Sequence, residues 1–193
     1  SVFPEIALRE LIANALIHQD FTMTGAGPMI EVFDDRIEFT SPGGLLPGKS
    51  VDRLIGSTPE SRNEILAAAF RRYRICEERG TGFQKIVAAV ELYGLPPVAF
   101  AAAENSFKVT LYAPRTFADM SPKERIEACY QHSVLKFLSS STMTNRTLRE
   151  RLKMNDKQRN QVTNLITDAV KAGRIKRSDP EAGKKFAEYV PYW

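Results

Sequence analysis

Glu10-Leu11-Ile12-Ala13-Asn14-Ala15-Leu16-Ile17-His18 is the stretch on which the reading of this chain turns. It lies in a segment, Pro4 to His18, that reads as a helix, with a proline early, Glu5 in the first turn and strong helix formers after it. The apolar residues Ile6, Ala7, Leu8, Leu11, Ile12, Ala15, Leu16 and Ile17 leave only a narrow polar stripe. Glu10, Asn14 and His18 fall on that stripe, each four residues from the next and so stacked on one face. Two readings stay open. The stripe is the solvent face, or it aims a carboxylate, an amide and an imidazole together at a ligand or metal.

Downstream, Met29-Ile30-Glu31-Val32-Phe33 alternates, Asp34-Asp35 supplies a turn, and Arg36-Ile37-Glu38-Phe39-Thr40 alternates again, which predicts a hairpin. Ser41-Pro42-Gly43-Gly44 follows, and adjacent glycines allow backbone approaches that side chains forbid. Residues 49–61 read as a loop with a short helical turn. Asn63 to Arg72 and Phe83 to Leu92 read as helices. Between them stands Gly80-Thr81-Gly82, which would point backbone N–H groups and a positive helix end at one spot, a place for phosphate or simply a tight turn. Pro97 to Ala102 and Phe107 to Tyr112 read as a closing pair of strands.

The order of these pieces resembles the Bergerat (histidine-kinase-like, GHKL) ATP-binding fold. Glu10 through His18 looks like that superfamily's N box, and Gly80-Thr81-Gly82-Phe83 looks like its second glycine box. The resemblance implies Glu10 as the catalytic residue that polarises water, and Asn14 as the ligand of a Mg²⁺ held through ATP. It implies Asn14, His18, Gly43, Gly44, Gly80, Thr81 and Gly82 as nucleotide contacts. Asp35-Arg36-Ile37-Glu38, Pro42-Gly43-Gly44-Leu45, Ser61-Arg62-Asn63 and Glu78-Arg79-Gly80-Thr81-Gly82 add a resemblance to the RecG-like transcriptional regulators. Those proteins usually carry a Schlafen-type AlbA domain, then this Bergerat-like domain, then a winged helix. The family is often labelled as ATP-dependent DNA helicases, yet no Gly-x4-Gly-Lys-Ser/Thr loop is present, so a motor is not supported. One departure stands out. The superfamily's first glycine box begins with an Asp that binds the adenine amino group, whereas Thr40-Ser41-Pro42-Gly43-Gly44 has no carboxylate there.

Charge divides the chain. Residues 1–120 hold 12 basic and 15 acidic residues, whereas residues 121–193 hold 15 and 8. A basic C-terminal third suggests a module that faces a polyanion. Ser121-Pro122-Lys123-Glu124 reads as a helix start, and Asn155 with Gln158 as a second capping box. The expected order is a helix to Ser139, a short helix from Thr144, a third from Asn155 to Gly173, then a strand at Ile175, a basic loop and a strand from Phe186 to Val190. This is the layout of a winged helix-turn-helix. Lys157, Asn160, Gln161 and Asn164 on the third helix, with Lys176, Arg177, Lys184 and Lys185 in the wing, are the candidate DNA contacts.

The fold class expected is therefore α+β, a Bergerat-like α/β sandwich over residues 1–116 followed by a winged helix over 120–193. The 193 residues, 43% hydrophobic and 26% charged, suit a globular protein and exclude wholesale disorder. No apolar run reaches the ~18–20 residues of a membrane helix. The start, Ser1-Val2-Phe3-Pro4, shows no signal peptide and no initiator Met, so the chain reads as part of something longer, in the cytoplasm. Cys76 and Cys129, with His18 and His132, are too few and too dispersed for a disulfide framework or zinc site. Three functions fit: a homo-oligomeric DNA-binding regulator whose first module binds a nucleotide or serves as an assembly scaffold; a true Mg-ATP hydrolase; or an interaction scaffold without a ligand.

Overall fold

The computed structural model describes residues 2–76, 81–181, 183 and 187–193. The chain is mixed α and β, and backbone proximity divides it into two units: Ser1–Tyr93 with Val98–Ala113, and Gly94–Pro97 with Pro114–Trp193. Gly94–Pro97 groups with the second unit, where the Arg151 guanidinium donates to Leu95 O at 2.8 Å in a buried bond.

The first unit holds helices α1 (Glu5–Ile17), α2 (Glu64–Arg72) and α3 (Gly82–Leu92) with strands β1 (Met29–Val32), β2 (Arg36–Pro42), β3 (Ala99–Ala102) and β4 (Ser106–Tyr112). The strands form one antiparallel sheet in the order β1-β2-β4-β3. Alternation fixes which face is covered. Ile37, Phe39 and Ser41 of β2 stand opposite Leu111, Val109 and Phe107 of β4, all on one face. Against that face pack the buried residues Ala7, Leu11 and Ala15 of α1 and Ile86, Val87 and Val90 of α3. Phe83 at the start of α3 meets Phe100 and Phe107 edge-on, at 5.4 and 6.2 Å between ring centres. The opposite face is polar: Glu38 accepts from Arg36 Nε at 2.7 Å and from Lys108 Nζ at 2.5 Å. Those two cations hold the Glu38 carboxyl below the usual carboxylate range.

The second unit holds α4 (Pro122–Leu138), α5 (Asn145–Arg151) and α6 (Arg159–Lys171), then a two-stranded antiparallel sheet of β5 (Ile175–Arg177) and β6 (Tyr189–Pro191). Local chemistry explains each start. Ser121 and Glu124 form a capping box with Pro122 at the first helical position, and Thr144 with Thr147 does the same for α5. Asn155 and Gln158 also form a box, but the turn they cap, Asp156–Gln158, is 3-10, and the α-helix begins after it. Val134, Met143, Leu148, Val162 and Ala169 are fully buried and make the core. The second strand lies later than its sequence suggests. Met143 exchanges backbone hydrogen bonds with Tyr189, and Ile175 pairs with Pro191, which sets the register over Tyr189–Pro191.

Leu111 is 1% exposed in the middle of the sheet. Leu111→Ala should therefore lower stability by about 2–5 kcal/mol, because the cavity it leaves is lined by sheet and helices that relax only partly. Val32→Ala, on the exposed outer strand, should change it by less than ~0.5 kcal/mol. Urea denaturation followed by circular dichroism distinguishes the two.

Candidate functional site

The polar stripe of α1 faces inward. Glu10 is only 4% exposed, while Ile6 and Ile12 on the other side of the helix are 38% and 42% exposed. Glu10, Asn14 and His18 all line one cavity of about 190 Å³ inside the first unit. The helix turns its carboxylate away from solvent because the far end of α1 is clamped. Carbonyls in the last turn of a helix have no partner within it. Here Ala15 O accepts from Ser41 Oγ at 2.9 Å, Leu16 O from Gln19 Nε2 at 3.1 Å, and His18 O from Arg62 Nε at 3.0 Å. Asn63 Nδ2 donates to both Ile17 O and Gln19 O at 2.8 Å.

The start of α3 closes on the same stripe. A Cβ built on Gly82 would lie 3.3 Å from Glu10 Oε2 and 3.4 Å from Asn14 Nδ2. A side chain at position 82 would press the carboxylate and the amide back by a few tenths of an ångström, so glycine lets the first turn of α3 stand close to both. Thr81 precedes the helix without a side-chain cap, so the N–H groups of that turn stay available to a ligand. Gly80 lies outside the described residues. Gly43 and Gly44 line the cavity too, but their side-chain positions point elsewhere. A Cβ on Gly43, whose φ is +93°, would sit 2.8 Å from Asp20 Cβ, and one on Gly44 would sit 2.7 Å from Glu104 O. The pair lets the β3–β4 turn and Asp20 press against the chain after β2, and Gly43 N donates to Asn105 O at 2.9 Å.

Ser41 lies in the stretch Thr40 to Gly44 that has no carboxylate. It is buried on the cavity face, and its hydroxyl hydrogen goes to Ala15 O, so its oxygen offers the cavity acceptor capacity alone. Phe39, Val109 and Leu54 give the cavity an apolar side. A carboxylate, an amide oxygen and helix N–H groups, in a cavity that also has apolar lining, fit a hard cation and anionic oxygens joined to a flat apolar body.

Sequence reasoning missed much of the remaining wall. Lys49, Glu60, Arg62, Arg71, Cys76 and Lys85 all line the cavity. Lys49 Nζ donates to Thr58 O at 2.7 Å and stands 3.4 Å from Glu60. Arg62 Nη2 donates to Gly44 O at 2.7 Å, so one guanidinium joins both ends of the loop 45–61 to the end of α1. The signal for Arg62 and Asn63 was the Ser61-Arg62-Asn63 motif; the others carry none.

In the second unit Lys157, Asn160, Gln161, Asn164 and Lys176 are exposed; Asn160, Gln161 and Asn164 lie on the side of α6 opposite Val162, Leu165, Ile166 and Ala169, Lys157 in the turn before it and Lys176 in β5. Arg177 is half-buried and its Nη1 donates to Pro180 O at 3.3 Å. Lys184 and Lys185 lie outside the described residues. Asn145 Nδ2 donates to Thr163 Oγ1 and Arg159 O, at 3.0 and 3.1 Å, which ties α5 to the first turns of α6.

Burial, followed by the charge of Arg62, pushes the His18 imidazole below its usual pKa; Lys49 adds to the effect and Glu60 opposes it. The unfolded chain then takes up the proton more readily than the folded one. Stability should be complete above about pH 6.5 and should fall as acid carries the pH from there down through the depressed folded value. His18→Gln should remove that part of the acid dependence. Urea titrations of both proteins between pH 7.5 and 5 make the comparison, and parallel curves would refute it.

Residues 25–111 match the family described as "Putative ATP-dependent DNA helicase recG C-terminal", a stretch that begins after α1 and includes Gly43, Gly44, Thr81 and Gly82. No curated protein matches the chain. Among solved structures, the DIP2311 protein from Corynebacterium diphtheriae aligns with a TM-score of 0.56 at 19% identity, over 98% of this chain and 35% of that one. This chain thus spans about a third of that protein's length, and the likeness is one of fold. The matched residues take in α2, α3 and nearly all of the four-stranded sheet.

Proposed function

We propose that the first unit binds a Mg-nucleotide and the second contacts duplex DNA, in a nucleotide-responsive DNA-binding regulator. The convergence of Glu10 and Asn14 on Gly82, within 3.3–3.4 Å of one point, carries the nucleotide reading. The RecG-related match supports it. Asn14 has no side-chain partner among the described residues, and its amide oxygen suits Mg²⁺. The N–H groups at the start of α3 would hold phosphate oxygens. Glu10 would orient a water at the same point and accept its proton. Bound ATP would supply an activated phosphoryl group to that water. Ser41 would accept a hydrogen bond from the base's amino group in place of a carboxylate.

The exposed amides and lysine of α6 and its preceding turn support the DNA reading, as does the excess of 15 basic over 8 acidic residues in 121–193. Three helices and a two-stranded sheet in this order are what a winged helix contains, with α6 as the helix that would enter the major groove. A dimer would present two such helices to two half-sites.

Saturating Mg-ATP should raise the stability of the folded protein by RT ln(1 + [L]/Kd), about 2.7 kcal/mol at a hundredfold excess over Kd. In a thermal melt Asn14→Ala should abolish the shift. Glu10→Gln should keep the shift and lose any phosphate release. A wild-type protein whose melting point ignores millimolar Mg-ATP would refute the nucleotide reading and favour the scaffold.

DNA binding should weaken steeply with salt. Lys157→Ala and Lys176→Ala should each flatten the slope of log K against log [salt] by about one unit, equally on all sequences. Asn160→Ala or Asn164→Ala should instead cost on the order of 1–3 kcal/mol of discrimination between sequences. Fluorescence anisotropy of the full chain on random and genomic duplexes reads both. No binding even at low salt would leave the second unit as a protein-interaction module.

A further inference from the structure

Among the described residues, one cation of the cavity has no hydrogen-bond or ion-pair partner. Lys49 is engaged with Thr58 and Glu60, and Arg62 with His18 O and Gly44 O. Arg71, in the last turn of α2, lines the same cavity, is half-buried, and has no hydrogen-bond or ion-pair partner among the described residues. From this placement we infer that Arg71 binds the terminal phosphate of the nucleotide, an inference that rests on the nucleotide reading above.

The backbone holds Arg71 at that position. After α2 the chain reverses through Arg74, whose φ is +58°, and Ile75 N donates to Phe70 O at 2.9 Å. The reversal brings Cys76, like Leu66 and Phe70, against the buried Ala13, Ile17 and Ala67, and Cys76 lines the cavity. Burial raises the Cys76 thiol pKa; the Glu10 charge raises it further and the Arg71 charge opposes it, so both charges act on one thiol. Arg71, Glu10, Asn14, Cys76 and Gly82 line the same cavity. A last-turn arginine is favourable to a helix wherever its guanidinium points. That general effect does not require the side chain to line a cavity or to stay unpaired there. A half-buried guanidinium without a carboxylate gains most from an oxyanion that accepts two of its N–H groups, and a terminal phosphate has three such oxygens and the highest charge in the chain of phosphates.

The test compares wild type, Arg71→Gln and Arg72→Gln by calorimetric titration with Mg-ATP, Mg-ADP and adenosine. Arg72 is exposed and does not line the cavity. Arg71→Gln should weaken Mg-ATP tenfold or more, Mg-ADP less, and adenosine not at all, while Arg72→Gln leaves all three unchanged. An equal loss for all three ligands, no loss for ATP, or the same loss in Arg72→Gln overturns the assignment while leaving the nucleotide reading intact. A wild type that binds none of the three removes both. If Arg71→Gln melts below wild type without ligand, Arg71→Lys carries the test: it keeps the charge without the fork, and its smaller loss should be confined to ATP.

Discussion

The last carbonyls of α1 would be orphaned at a helix end that lies inside the protein, and the arrangement of the first unit follows from how they are satisfied. Five consecutive acceptors, from Ala15 O to Gln19 O, receive side-chain donors from Ser41, Gln19, Arg62 and Asn63. Two of those donors come from 44 residues or more away in sequence. They fix the rotation of α1 about its axis, and that rotation decides whether Glu10 and Asn14 face water or the cavity. Leaving any one of these buried acceptors unpaired would cost on the order of 1–3 kcal/mol. The chemistry of the stripe is thus secured by polar groups that do no chemistry themselves.

Glycine plays two different parts around the cavity. Gly82 clears space on the cavity side, next to Glu10 and Asn14. Gly43 and Gly44 clear space on the protein side, for Asp20 and for the carbonyls of Ala103 and Glu104. The first loop lines the cavity with backbone because its side-chain directions are filled by neighbours. A glycine-rich stretch in such a fold therefore need not be a cradle in its own right, since close packing of a neighbouring turn demands the same residue.

Periodicity made most elements legible in the sequence. The hairpin of β1 and β2 alternates cleanly, and the boxes at Ser121 and Asn155 mark helix starts by their own chemistry. What could not be read was the direction of the polar stripe. Glu10, Asn14 and His18 are equally consistent with water or a cavity until Asn63 and Arg62 are known to grip the end of the helix. The far wall was hidden for a related reason. Lys49 and Glu60 sit in a loop without periodic pattern, and Arg71 looks like any cation closing a helix. The β6 strand was displaced because its register depends on Met143, a partner more than forty residues earlier.

The double grip of Arg62 has a consequence for how this protein tolerates change. Arg62 stands just past the loop 45–61, and its guanidinium donates to Gly44 O at the loop's start and to His18 O at the end of α1, so the loop leaves and rejoins the body at points already fixed. The entropic cost of closing a longer loop rises only with the logarithm of its length, about 0.6 kcal/mol for each doubling. Added residues between Gly48 and Pro59 therefore leave the ends of the loop in register. The loop is the natural place for lineages to diverge in length, and for a reporter peptide to be spliced in without disturbing α1.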